Sequence, residues 1–258
     1  MNYYNEHDKH AAAWLRELIK AGLIPNGEVD ERDIQQVQSR ELSGFTQCHF
    51  FAGIGGWSYA LQLAGVPSSR PVWTGSCPCQ PYSSAGKGQG SEDPRNLWPH
   101  FFRLIRESRP DLVFGEQVDD AIGFGWLDGV SADLEAEAYT VGAAVLGAHS
   151  VGAPHVRQRL YWMAYANAQR QYFKHASVRQ WRQEEAGSQA QRCGAWSNVE
   201  RRVCGDGKAR MCKPGLELLA NGLPADLVQL GIFGNAIVPP VAAEFIQAAI
   251  EAIEERAR

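Results

Sequence analysis

The stretch that decides the fold is TQCHFFAGIGGWSYALQLAGV, residues 46–66. Its pattern predicts a strand, a glycine-rich turn and a helix. In such a turn the helix N-terminus offers free backbone N–H groups, and glycine lets a ligand approach the backbone closely. The turn, residues 51–56, lacks the G-x-G-x-x-G spacing of dinucleotide-binding proteins. By itself it therefore fits either a cofactor site or a tight turn that needs glycine for structural reasons.

Further apolar segments on both sides of this unit alternate between helix and strand patterns. Residues 11–24 and 97–105 have apolar positions at helical spacing. Apolar runs at 112–114 and 160–164 predict strands, and residues 239–258 predict a helix that begins with two prolines. Strands that alternate with helices predict an α/β fold, with a mainly parallel sheet covered on both faces.

Composition limits the class of protein. The 258 residues are 45% hydrophobic and 21% charged, values near the globular average, which excludes disordered and fibrous classes. No apolar run approaches the roughly 18 residues of a membrane span, and the N-terminus lacks the pattern of a secretion signal. The six cysteines are therefore not expected to form a disulfide framework, and we expect a soluble cytoplasmic protein.

The net charge of −4 hides a basic segment. Residues 157–213 contain 12 Lys and Arg but only 4 Asp and Glu, a local charge of +8, whereas the rest of the chain carries −12. A cationic segment in an acidic protein is typical of a surface that binds a polyanion. A solvated loop region would have the same composition, so the charge alone leaves both interpretations open.

Three short segments carry residues suited to catalysis. Cys79 follows a proline and opens a loop rich in glycine and serine, which suits a nucleophile that is covered after substrate arrives. Glu116 ends an apolar run, where a protonated carboxyl could donate to a ring nitrogen. Arg157 and Arg159 lie two residues apart in an expected strand, so both would point the same way and could hold a carboxylate, a phosphate or a carbonyl oxygen.

Each of these segments also has a structural interpretation. Cys77 and Cys79 could be half-buried cysteines or two metal ligands, although no second Cys/His pair follows at structural-zinc spacing. Glu116 could be a solvated acid at a strand end, and the two arginines a surface pair. The segments carry weight only in combination.

Taken in order, five motifs of the chain resemble those of the DNA cytosine-C5 methyltransferases. FAGIGG (51–56) is similar to their S-adenosylmethionine turn, PCQPYSSAG (78–86) to their nucleophile loop, and GEQV (115–118) to their Glu-Asn-Val motif. HVRQRLYW (155–162) resembles their arginine strand, and GNAIVPPV (234–241) resembles their late cofactor motif. RNA methyltransferases built on the same catalytic core share these motifs, so the resemblance does not by itself fix the nucleic acid.

The resemblance implies a Rossmann-like, S-adenosylmethionine-dependent methyltransferase sheet with a small, loop-rich target-recognition subdomain. The catalytic and cofactor-binding domain would span 1–164 and the small basic target-recognition region 165–230, after which 231–258 would return to the catalytic domain. The activity implied is methyl transfer to carbon 5 of a flipped-out cytosine in double-stranded DNA, through a covalent adduct with Cys79. We expect a monomer, with a cognate restriction endonuclease as a candidate partner.

The same resemblance assigns residues to roles. Cys79 would attack carbon 6, Glu116 would hold N3 and the exocyclic amine, Arg159 would hold O2, and Arg157 would position loop or phosphate groups. The cofactor would be held by Glu6, His7, Asp33, Ile34, Phe51, Ala52, Gly53, Ile54, Gly55, Gly56, Pro78, Asn235, Ala236 and Ile237. DNA would be contacted by Gln80, Ser83, Ser84, Lys87, Arg95, Arg201, Arg202 and Lys208.

The chain departs from the family pattern in three places. Gln117 stands where the family has Asn, a change that touches packing around the nucleophile loop more than proton chemistry. The basic region is compact, which leaves open how many base pairs it reads. Residues 65–78 leave room for one strand, whereas NEHDKHA (5–11) and RDIQQV (32–37) resemble the second and third cofactor motifs. We therefore interpret the chain as permuted, with residues 1–40 supplying the second and third cofactor strands.

Other interpretations compete with a DNA methyltransferase. A catalytically silent nucleic-acid-binding protein of the same fold would be expected to have lost at least one of the catalytic residues, and all are present. An RNA cytosine-C5 methyltransferase stays an alternative. A nucleotide-level enzyme of the thymidylate-synthase type would need neither the cofactor turn nor the basic segment. A zinc site is disfavoured because its candidate ligands match no standard finger spacing: Cys193, Cys204, Cys212 and His175.

Overall fold

The computed structural model of the chain describes residues 1–78, 96–153, 155–167, 200–203, 209–212 and 236–257. The strands within these residues are β1 (Asn2–Asn5), β2 (Gly27–Asp30), β3 (Gln47–Phe50), β4 (Val72–Gly75), β5 (Leu112–Val118), β6 (Tyr139–Gly147), β7 (Gln158–Ala166), β8 (Glu200–Val203) and β9 (Ala209–Cys212). The helices are α1 (Lys9–Lys20), α2 (Gly56–Leu63), α3 (Trp98–Ser108), α4 (Trp126–Ala136) and α5 (Pro239–Ala257). Short 3₁₀ turns lie at Ile34–Gln36, Ser39–Leu42, Asp119–Phe124 and Ala148–Val151.

Seven of these strands form one sheet, in the order β2-β1-β3-β4-β5-β7-β6. The first five strands in this order pair in parallel, whereas β7 runs antiparallel to both of its neighbours, β5 and β6. The predicted α/β class with a mainly parallel sheet is therefore confirmed. Strands β8 and β9 form a separate antiparallel pair within the basic segment.

The central unit forms as the sequence predicts, with β3, a glycine turn and α2 following in order. Gly55 caps the start of α2 with φ +79°. Only glycine adopts this left-handed conformation without strain, since a Cβ would clash with the backbone. The turn therefore has a structural need for glycine at this position, in addition to any binding role.

The two N-terminal strands lie beside the glycine-turn strand. Strand β1 pairs in parallel with β2 on one side and with β3 on the other. In the chain between β1 and β2, α1 is capped at its N-terminus by Asp8, whose carboxylate accepts from the backbone N–H groups of His10 and Ala11. Residues 1–40 thus contribute two neighbouring strands to the sheet, and their permutation relative to the family stays a prediction.

Helices cover both faces of the sheet. On one face α2 and α5 pack with β4, β5 and β7 around Phe114, Tyr161 and Ile246. On the other face α3 and α4 enclose an aromatic cluster that includes Trp98, Trp126 and Trp162. The Trp162 indole lies across Gly115, where an added Cβ would be 2.2 Å from Trp162 Cε2. The large apolar area buried on both faces is the main source of stability of this layered fold.

Two of the boundaries that differ from the prediction lie near the residues suited to catalysis. Strand β5 does not end at Glu116 but continues to Val118, because its last residues pair with the beginning of β7. Strand β7 begins at Gln158, so Arg157 lies one residue before it. Among the described helices, none is long and apolar enough to cross a membrane.

Candidate active site

The candidate site lies at the edge where the parallel strands β3, β4 and β5 reach their carboxyl ends. In the ladder Phe50 stands opposite Gly75, and Gly75 stands opposite Gly115. The glycine turn follows β3, and the segment that begins at Ser76 follows β4. Glu116 lies within β5, directly after Gly115. Ligands of open α/β sheets bind in the crevice outside this edge.

The backbone of the glycine turn enters the left-handed region, which residues with a side chain adopt with difficulty. Phe51 and Gly53 both have positive φ, at 51° and 54°. A Cβ built on Gly53 would meet no atom within 4 Å among the described residues, so open space lies on that side of the turn. The turn therefore has room for a ligand close to its backbone.

Glu6 lies immediately after β1 and faces this turn. Its Oε2 accepts a hydrogen bond from the Gly53 backbone N–H at 2.7 Å, and its Oε1 accepts one from Asp8 N–H at 2.9 Å. Each carboxylate oxygen accepts more than one hydrogen bond, so the group can still bind a hydroxyl. His7 is exposed, and its Nδ1 lies 3.0 Å from the Glu31 carbonyl oxygen.

The predicted adenine-binding segment follows β2. Asp33 caps a short 3₁₀ turn by accepting from Gln35 N–H at 2.9 Å, and Ile34 is buried. The segment is held by Arg32, whose guanidinium lies 2.7 Å from Asp30 Oδ2 and 3.2 Å from Glu41 Oε2. Burial raises the pKa of the Asp30 carboxyl, but the contacts with Arg32 and a hydrogen bond from Tyr3 outweigh it, so the pKa is lowered.

Tyr3 extends this set of contacts into the sheet, since its hydroxyl donates to Asp30 Oδ2 at 2.6 Å. Sequence reasoning missed Tyr3, Asp30 and Arg32 as residues that support the site. An Asp and an Arg two residues apart are common on surfaces, and nothing in the spacing distinguishes this pair.

Glu116 is the buried acid of the site, with 6% of its surface exposed. Burial raises the pKa of its carboxyl, because removal from water disfavours the charged form. Arg159, whose Nε lies 3.1 Å from Glu116 Oε1, acts in the opposite direction, as do Arg157 and a hydrogen bond from the Ser76 hydroxyl. Burial is the largest of these effects, so a proton on Glu116 is favoured relative to an exposed glutamate.

The two arginines have different partners. Arg159 pairs with Glu116, whereas Arg157 Nη2 donates to the backbone carbonyl of Ala236 at 2.7 Å. The two guanidiniums therefore contact different groups, although both arginines act electrostatically on the Glu116 carboxyl. The physical reason is that Arg157 lies outside β7, so the alternation of a strand does not fix its direction.

Cys77 has the features of a structural cysteine. It is buried in the aromatic core, and burial raises the pKa of its thiol. Its carbonyl oxygen accepts from Gln117 Nε2 at 3.3 Å. Gln117 thus contacts the backbone one residue before the predicted nucleophile loop. Pro78 follows and is exposed.

Several predicted site residues lie outside the described residues, namely Cys79, Gln80, Ser83, Ser84, Lys87, Arg95, Lys208 and Asn235. Arg201 and Arg202 lie in β8, but only their backbone is described. The described part of the chain contains no group of three His, Cys, Asp or Glu side chains that could hold a metal ion. The candidate zinc ligands His175, Cys193 and Cys204 fall outside that part.

Comparison with known proteins identifies the family. A family model described as C-5 cytosine-specific DNA methylase matches residues 68–202, about half of the chain. The chain belongs to this family. The matched region begins just before β4 and includes Glu116 and both arginines.

Curated type II methyltransferases match parts of the chain. The type II methyltransferase M.HhaI of Haemophilus parahaemolyticus is 25% identical over 171 residues, which cover 51% of this chain and 52% of that protein. M.AplI of Arthrospira platensis is 32% identical over 99 residues, which cover 38% of this chain and 29% of that protein. The chain spans about half or less of the length of these relatives.

A solved structure, that of the Entamoeba histolytica methyltransferase EhMeth, aligns with a TM-score of 0.45 and 17% identity. The alignment covers 63% of this chain and 44% of that chain.

Proposed function

We propose that this member of the C-5 cytosine methylase family transfers a methyl group from S-adenosylmethionine to carbon 5 of cytosine in DNA. The observation that carries the proposal is the buried Glu116, whose raised carboxyl pKa and ion pair with Arg159 suit a group that donates to a pyrimidine ring. It lies at the same sheet edge as the glycine turn and the segment that leads to Cys79.

The residues at the glycine turn fit the cofactor. The open space at Gly53 leaves room for the ligand, and the Glu6 carboxylate beside it suits a ribose diol. Asp33 and Ile34 would contact the adenine, and Ile237 would line the other side of the pocket. When bound, S-adenosylmethionine supplies an electrophilic methyl group. The chain must therefore make carbon 5 of the base nucleophilic.

Cys79 would do this by covalent catalysis. Its thiolate would add to carbon 6, which turns carbon 5 into an enamine-like nucleophile. Glu116 would hold a proton at N3 during this addition, and Arg159 would donate to O2. After carbon 5 has accepted the methyl group, loss of its proton would expel the Cys79 thiolate and restore the ring.

The substrate would be duplex DNA with the target base flipped out, since carbon 6 cannot be reached inside a stacked duplex. The +8 segment of residues 157–213 supports a polyanionic partner. The intact Glu116–Arg159 pair counts against a catalytically silent protein. A cognate restriction endonuclease, a monomeric state and a cytoplasmic location stay predictions.

Bisulfite sequencing tests the proposal directly. DNA from cells that express the chain should contain cytosines protected from conversion within a short recurrent sequence. Cells that express Cys79→Ser should lack this protection. If the DNA is unmodified but cellular RNA acquires 5-methylcytosine, the chain is an RNA methyltransferase instead.

Replacing Glu6 with alanine should weaken the binding of S-adenosylmethionine by about 1.5–3 kcal/mol, the usual cost of losing a charge-assisted hydrogen bond. Isothermal titration calorimetry measures this change. Glu28→Ala is the matched control, because Glu28 is an exposed carboxylate on the neighbouring strand β2. Equal affinity for S-adenosylmethionine in both variants would show that Glu6 does not bind the ribose. The affinity of Glu6→Ala for DNA without cofactor should equal that of the wild type.

Replacing Glu116 with glutamine should lower the rate of methyl transfer by about 100-fold or more, as expected for loss of a positioned proton donor. Because the raised pKa of the Glu116 carboxyl favours the protonated form, wild-type kcat/KM should fall as pH rises through that pKa. The alkaline decline assigned to Glu116 should be absent in Glu116→Gln, since an amide does not titrate. A pH–rate profile with the same alkaline decline in both proteins would assign this titration to another group.

A further inference from the structure

The segment at the start of β7 contacts two parts of the candidate site, the base pocket and the predicted cofactor pocket. Arg159 is the second residue of β7 and pairs with Glu116, which would hold the base. Arg157, two residues earlier, donates through Nη2 to the carbonyl of Ala236, a residue 79 positions later in the chain. One short segment therefore contacts both the base pocket and the predicted cofactor segment.

The contact with Ala236 fixes a segment that lies against the glycine turn. The next residue, Ile237, is buried, and a Cβ built on Gly56 would lie only 2.8 Å from its Cγ1. The Ile237 side chain therefore packs closely against the start of α2, with no room for a side chain at Gly56. A shift of the backbone at Ala236 would move Ile237 either into the turn or away from it.

A second contact joins β7 to the same segment. The Tyr161 side chain is buried and stands opposite Glu116 in the ladder. Tyr161 belongs to the same buried apolar cluster as Ile237 and Val238. Residues 236–238 thus contact Arg157, which lies just before β7, and pack in the same cluster as Tyr161 of β7.

We propose that Arg157 is a positioning residue for the cofactor, which acts by holding the Ala236 carbonyl and so fixing Ile237 against the glycine turn. This inference rests on the proposed function, and it replaces the expected role of Arg157 in positioning the nucleophile loop or a phosphate. A charged guanidinium at 2.7 Å from a carbonyl oxygen makes a strong hydrogen bond, which suits a residue that orders backbone. Arg157 then acts by holding the protein backbone at Ala236 and not by contacting the base directly.

The test is calorimetric binding of S-adenosylhomocysteine to the full chain without DNA. Arg157→Gln should weaken binding by about tenfold, the size expected for a hydrogen bond to a charged group. In steady-state assays the same variant should raise the KM for S-adenosylmethionine more than it lowers kcat. Arg109→Gln is the matched control, since Arg109 also donates to a backbone carbonyl, that of Glu137 at 2.8 Å, but away from the site. Its affinity should equal that of the wild type.

A double-mutant cycle separates positioning from general destabilisation. If Arg157 acts through Ile237, Arg157→Gln should change affinity by less than about threefold once Ile237 is alanine. Additive effects, or wild-type affinity in Arg157→Gln, would overturn the inference. Arg157→Lys keeps a charged donor and should lose less affinity than Arg157→Gln. If Arg157→Gln does not fold, Arg157→Lys replaces it in the binding test. Failure of the wild-type chain to bind S-adenosylhomocysteine would count against the proposed function itself.

Discussion

Replacing Cys79 with serine should reduce methyl transfer to background, whereas replacing Cys77 with serine should leave most of the activity. A hydroxyl is a far poorer nucleophile than a thiolate at neutral pH. Cys77 is buried, and burial raises the pKa of its thiol, so it stays protonated and unreactive. Transfer of a labelled methyl group to DNA measures both variants, and Cys77→Ser serves as the matched control for the loss of a nearby thiol.

A covalent trap identifies the nucleophile independently of rates. In DNA that contains 5-fluorocytosine, carbon 5 carries a fluorine that cannot leave as a proton does, so the adduct should persist. Mass spectrometry of the digested complex should locate it at Cys79 in the wild type and in Cys77→Ser. An adduct at any other residue, or equal loss of activity in both serine variants, would contradict the assignment of Cys79.

Local patterns were enough to predict the centre of the fold and part of the site. The strand, turn and helix around residues 51–56 are set by glycine at a positive φ and by the flanking apolar residues. The position of Glu116 at the carboxyl edge follows from the apolar run before it. In each case the information lies within a few residues of the chain, where the pattern of side chains is visible.

Contacts between distant segments could not be predicted in this way. Strand β5 extends to Val118 because Val118 pairs with Arg159 in the antiparallel ladder with β7, and no local signal marks that pairing. The hydrogen bond from Arg157 to Ala236 depends on how the chain returns to the sheet after the basic segment. The Tyr3–Asp30 hydrogen bond likewise joins residues 27 positions apart, on paired strands.

Deleting residues 1–40 should unfold the domain, because the sheet would lose two of its seven strands, β2 at the edge and β1 inside it. Strand β1 lies between β2 and β3, so its removal exposes the backbone of β3 along one side. It also removes Tyr4, which is fully buried and stacks on His49 with ring centroids 5.0 Å apart. Circular dichroism of the 41–258 fragment should show loss of native secondary structure and of a cooperative thermal transition.

Point variants test the same claim in the intact chain. Leu15 on α1 is fully buried, and Leu15→Ala should lower the free energy of unfolding by about 2–5 kcal/mol, the cost of a large-to-small change in a core. Leu23 is 59% exposed, so Leu23→Ala is the matched control and should change stability by less than about 0.5 kcal/mol. If the N-terminal segment were only an appendage, Leu15→Ala would leave the main urea transition unchanged. The 41–258 fragment would then also stay folded and bind S-adenosylhomocysteine normally. That result would refute the claim that residues 1–40 form part of the sheet.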